Sequence, residues 1–149
     1  MKNPIIDKQT GIFNFNDGFR ILKGTTEAEI ATFFDLDDTI EQRAVRYGLT
    51  YYTAQNVETN GFYFNLVFTF KDRLLECLQF EVSADSFSLP PQAHSQDGWN
   101  YSDEEKQRLI DYELWLTQQL GNDRIFQWGK INAMWQPLGN GPIIYLEYS

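Results

Sequence analysis

The sequence holds one cysteine and one histidine, and that scarcity closes several chemical routes. Cys77 has no second cysteine to pair with, so an internal disulfide is excluded. His94 and Cys77 alone cannot make a structural zinc site, which takes four protein ligands. A Ser-His-Asp or Cys-His arrangement would have to use His94, and nothing in its spacing joins it to Cys77. Cys77 falls in the middle of a strand pattern and reads as a buried structural cysteine. Basic residues are also few: 12 Lys and Arg stand against 21 Asp and Glu, giving a net charge of -9 and a pI near 4.5. Such a surface repels phosphate backbones, which argues against nucleic acid or an anionic membrane as partner. It suits solubility, and it suits electrostatic steering toward a basic protein. No apolar run approaches a membrane span. The opening MKNPIIDKQT lacks the apolar core of a signal peptide, so the expected location is the cytoplasm of a bacterium. Without secretion, the sequon Asn100-Tyr101-Ser102 carries no meaning. Gly139-x-Gly141 precedes a strand rather than a helix and reads as a turn, not a phosphate loop.

The chain does have aromatic residues in quantity: twelve Phe, eight Tyr and four Trp, 16% of its 149 residues. Flat rings pack well on pleated surfaces, so the enrichment favours strands. Asp17-Gly18, Asn60-Gly61 and Asn140-Gly141 each lie between alternating apolar segments, the signature of tight hairpins. Residues 62–70 alternate most clearly, with Phe62, Phe64, Leu66, Phe68 and Phe70 on one face. A turn at Lys71-Asp72 then leads into a strand with Leu74, Leu78, Phe80 and Val82 on one face, making residues 45–82 a three-stranded meander. Two helices interrupt the strands. Thr26 with Glu29, and Ser102 with Glu105, form capping boxes. Ile30, Phe33 and Phe34 supply the apolar face of the first helix; Leu109, Tyr112, Leu116 and Leu120 supply that of the second, which Gly121 ends. The predicted order is ββαβββαββ. The fold class is α+β: one domain over residues 1–149, a mostly antiparallel sheet of hairpins with two helices packed against it. Trp128 and Trp135 fall on opposite faces of one strand, and at least one should enter the core. Residues 83–101 form the one long irregular connection, a length often associated with function.

FFDLDDTI, residues 33–40, resembles the nucleophile motif of the haloacid-dehalogenase phosphatases. The resemblance implies Asp35 as nucleophile, Asp37 as general acid, Thr39 as supporting hydroxyl and magnesium as cofactor. That chemistry needs the first Asp to leave a buried parallel strand, so that backbone amides beyond the strand cradle the phosphate. Here a helix-start signal precedes it, and no later acidic pair follows an apolar strand to complete the metal site. A calcium loop starting at Asp35 would need Gly at its sixth position and Glu at its twelfth; Ile40 and Arg46 stand there. The expectation is therefore no metal and no cofactor. Asp35, Asp37, Asp38 and Glu41 read as an acidic patch that can meet a partner. Paired carboxylates for glycoside cleavage need one raised pKa, which sequence does not reveal. Trp99 and Tyr101, in the long connection, are candidates to anchor a partner or to stack on a ligand.

Three stretches share a style with bacterial immunity-type proteins, the antidotes encoded beside polymorphic or contact-dependent toxins. They are IDKQTGIFNFNDGFRI, GTTEAEI and the closing FQWGKINAMW…GPIIYLEY. The chain resembles such proteins in its opening hairpin, its capped helix, and its Trp-Gly strand paired with a Tyr-ended terminal strand. The resemblance implies a cytoplasmic, acidic, non-catalytic protein that binds a toxin, often a basic nuclease domain. The expected function is occlusion of such a toxin, with Asp35, Asp37, Asp38, Glu41, Trp99 and Tyr101 as partner-binding residues. The alternatives are a small-molecule binder with an aromatic pocket, and a magnesium-dependent phosphatase using DLDDT.

Overall fold

Turn chemistry lays out the architecture. The computed structural model describes residues 5–16, 18–34, 43–46, 49–87, 103–136 and 141–149. The strands are β1 (Phe13–Asn14), β2 (Arg20–Ile21), β3 (Arg43–Arg46), β4 (Leu49–Thr59), β5 (Phe62–Lys71), β6 (Leu74–Ser83), β7 (Ile125–Phe126), β8 (Gly129–Trp135) and β9 (Pro142–Tyr148). The helices are α1 (Glu27–Phe34) and α2 (Asp103–Leu120). β1 and β2 pair as a small hairpin. The others form one sheet in the order β3-β4-β5-β6-β9-β8-β7. Every neighbouring pair in both sheets is antiparallel. The α+β class follows as expected. Relative to the order read from sequence, β3 and β7 are additional strands: four and two residues are too few for alternation to register.

Asn60 and Gly61 take φ of 51° and 84°, joining β4 to β5 by a two-residue turn with Thr59 opposite Phe62. The next turn sits one residue later than the sequence suggested. Asp72 and Arg73, with φ of 52° and 68°, link Lys71 to Leu74. A left-handed Asp is tolerated, whereas a left-handed Arg is strained. Arg73→Gly should therefore raise the urea midpoint, by a net gain of about 0.5 kcal/mol once glycine's larger unfolded-state entropy is subtracted.

The β5 pattern appears as read, with Phe64, Leu66, Phe68 and Phe70 buried. β6 does not keep simple parity. Its pairing shifts by one between Thr69↔Cys77 and Phe70↔Leu75, leaving Glu76 as the extra residue of a bulge. Leu75 thus joins Leu78, Phe80 and Val82 in the core, while Leu74 is 49% exposed. Cys77 is buried on the opposite face, as its position predicts.

Both helices and the β1–β2 hairpin pack on one face of the large sheet. Thr26 caps α1: its Oγ1 accepts the Glu29 amide at 3.1 Å and donates to Glu29 Oε1 at 3.0 Å. Ile30 is buried, and the Phe34 ring meets Phe68 at 5.4 Å. On α2, Tyr112, Leu116 and Leu120 are buried as predicted, but Leu109 is only half-buried. Trp115 takes the central place instead, its ring 5.9 Å from Phe64 and 5.8 Å from Phe80. Gly121 ends α2 with φ of 75° and its amide on Thr117 O at 2.8 Å. Ser102 lies outside the described residues.

The chain's two ends close on each other. Gln119 Oε1 accepts the amides of Ile5 at 3.0 Å and Ile6 at 3.3 Å, fixing the first described residues to α2. Trp128 donates from Nε1 to Lys8 O at 2.8 Å, and its ring stacks on Phe126 at 4.8 Å. Tyr148 donates its hydroxyl to Gly11 O at 2.9 Å. A Cβ on Gly11 would stand 2.4 Å from the Trp128 ring, so only glycine fits there. The opening and closing stretches that carry the immunity-type resemblance therefore touch in space. Trp128 and Trp135 are both half-buried, and Trp128 packs against the core.

Candidate partner-binding surface

The sequence nominated two segments, and structured elements lead into both. Asp35, Asp37, Asp38 and Glu41 lie outside the described residues, as do Trp99, Tyr101 and His94. α1 runs to Phe34, directly before Asp35. That overturns the phosphatase setting: a helix, not the end of a parallel strand, precedes the DLDDT segment. The backbone amides beyond a strand, which that chemistry needs, are replaced by the carbonyl-rich end of a helix. A helix C-terminus carries partial negative charge, and α1 has no basic residue in its last turn.

Aromatic rings surround this exit. Phe19 stacks on Phe33 at 4.0 Å, and Phe15 meets Phe34 edge-on at 5.7 Å. Phe19, Phe33 and Phe34 are only partly buried, so the end of α1 presents ring surface. Sequence pattern had assigned Phe33 and Phe34 to a core face alone.

The second segment is held at its root by a residue that the sequence reading passed over. Asn56 takes φ of 53° in a β4 bulge, where pairing shifts between Ala54↔Leu66 and Val57↔Phe64. Its amide donates to Asn65 Oδ1 at 3.0 Å. Its side chain accepts the Phe87 amide at 2.7 Å and donates to Phe87 O at 3.0 Å. A side-chain amide here imitates a strand partner, and it draws the chain leaving β6 back across β5 to β4. The signal was the Asn itself, a residue tolerant of left-handed φ inside a strand pattern. Asn56→Ala should cost about 2 kcal/mol, from the lost pair of hydrogen bonds and the strained φ. Hydrogen exchange at the Phe87 amide should accelerate by more than that of β5.

Elsewhere the titratable groups point to structure. Burial pushes the Cys77 thiol up, against hydrogen bonds from Thr69 and Tyr145 that pull it down. A thiol held protonated in this way is a poor nucleophile. The Tyr145 phenol is raised by burial first and by its bond to Cys77 second. Tyr52, bonded to Glu27 across from β4 to α1, is pushed up to about 12 by burial and by that carboxylate. Among the described residues, no three His, Cys, Asp or Glu side chains gather where a metal would sit. No helix among them is long and apolar enough to cross a membrane.

No protein-family model matches the sequence, and no curated protein matches it. Among solved structures, the fold is similar to a chain of the one described as Rhs1-CT in complex with cognate immunity protein RhsI1. The TM-score is 0.51 and the identity 12%, over 96% of this chain and 85% of that one. At that identity the likeness is one of fold: the antiparallel α+β arrangement described above also occurs in a toxin–immunity complex.

Proposed function

We propose that this chain is a non-enzymatic, cytoplasmic binding protein of immunity type, which neutralises a basic toxin domain by covering its active surface. The observation that carries the reading is the fold likeness, over nearly the whole chain, to a chain from a complex of a toxin with its immunity protein. The net charge of -9 supports it and sets the partner's sign. Tight occlusion needs a few aromatic anchors ringed by complementary charge. In this reading Asp35, Asp37, Asp38 and Glu41 supply the charge. Trp99 and Tyr101 supply anchors, on a connection whose root Asn56 ties to the sheet.

The test first reads the adjoining genes, then uses a toxin domain encoded there, purified in an inactive form. Asp35→Ala combined with Asp37→Ala should weaken binding by about 100-fold, the scale of losing charge pairs at a desolvated interface. The melting temperature should stay unchanged. Titration calorimetry reads the affinity, and a thermal melt followed by circular dichroism reads the melting temperature. Unchanged affinity in the double variant removes this segment from the interface; a locus with no toxin gene removes the immunity reading.

A further inference from the structure

The outer face of α2 carries two aliphatic residues where folding asks for none. Tyr112, Trp115, Leu116 and Leu120 turn toward the sheet and are buried. At 100° per residue, Ile110 and Leu114 project from the opposite side, one turn apart on the same line. They are 53% and 57% exposed. Among the described residues, the remaining exposed large apolar side chains, Leu22, Leu74, Ile125 and Met134, each stand alone on their own segments. A solvated helix position is served as well by Gln, Lys or Glu, so neither propensity nor packing explains the pair.

Charge surrounds it. Asp103, Gln107 and Asp111 are exposed along the same side, and Gln107 donates to Asp111 Oδ1 at 3.0 Å. The two nearby arginines face other partners: Arg108 lies 3.9 Å from Glu81, and Arg124 lies 3.6 Å from Glu113. Lys106 is the one exposed base of the helix. An apolar pair one turn apart inside an acidic rim is how a helix seats in a groove of a partner, with i and i+4 as anchors.

We infer that this outer face of α2 docks a basic protein surface bearing an apolar groove, with Ile110 and Leu114 as the anchors and Asp103 and Asp111 as the rim. Charge decides the occupant. A second copy would bring the same acidic rim against itself, on a chain already at -9. A basic partner gains where a copy loses. The inference rests on the immunity-type reading and extends it to a helix face distant in sequence from residues 35–41.

The experiment measures affinity for the inactive toxin domain of the adjoining gene, using the full chain and two variants. Ile110→Ala with Leu114→Ala should weaken binding about 30-fold or more, as two anchors each costing over 1 kcal/mol would. Both sites are exposed, so far-UV circular dichroism and the melting temperature should match the parent. Asp103→Asn with Asp111→Asn should slow association and flatten its salt dependence. Wild-type binding with an unaffected aliphatic double variant overturns this surface and leaves the immunity reading standing. No wild-type binding overturns both. A wild-type dimer in light scattering that the aliphatic variant dissociates overturns the inference in favour of self-association.

Discussion

Gly129→Ala should remove a large share of the stability of the native state. Gly129 has φ of +149°, a region closed to side chains, and a Cβ there would stand 2.1 Å from Glu147 O. That oxygen is backbone in the adjacent strand β9, so no rotamer change relieves the clash. The two strands must part or shift register where Gly129 pairs with Tyr148. Strain at a forbidden φ and overpacking add, to about 4 kcal/mol. A small domain holds only about 5–15 kcal/mol in total. The variant should therefore melt far below the parent in urea, with a changed slope if the Tyr148–Gly11 contact opens first. Gly129→Ala melting within 0.5 kcal/mol of the parent, on the scale of an ordinary surface change, would show that the β8–β9 pairing is looser than drawn.

Trp115→Ala should cost about as much, roughly 3–5 kcal/mol, by a different route. The indole is 5% exposed and meets Phe62, Phe64 and Phe80 edge-on, at 6.4, 5.9 and 5.8 Å. It is the ring through which α2, lying over β8 and β9, reaches β5 and β6. Its removal leaves a cavity that the stiff neighbouring rings cannot close. Leu109→Ala, at the half-buried position that periodicity had placed in the core, should cost much less. Chemical denaturation of the two variants side by side checks the assignment. Equal losses would return Leu109 to the core and demote Trp115.

The contrast between Trp115 and Leu109 shows which parts of the fold could be read in advance. Helical spacing marked a face, but a stripe three to four residues wide can be rotated by one position without breaking its period. Strand parity failed at Glu76 for a related reason: a bulge inserts one residue and exchanges the faces beyond it, and no residue type announces it. Where turn chemistry was explicit, at Asn60-Gly61 and Thr26–Glu29, the expectation held to the residue. Arg73 was missed because a long side chain at left-handed φ violates the rule that finds turns. At the surface, charge and aromatic content were legible and geometry was not. Asn56 acts through a backbone mimicry thirty-odd residues away, and Ile110 and Leu114 become informative only once the buried side of α2 is known.

The most direct measurement titrates this protein into the active toxin domain of the adjoining gene and follows the toxin's own activity. With occlusion of the active surface, activity falls linearly to zero at one equivalent, and added salt relieves the inhibition. Full toxin activity at saturating concentrations of this protein would contradict it.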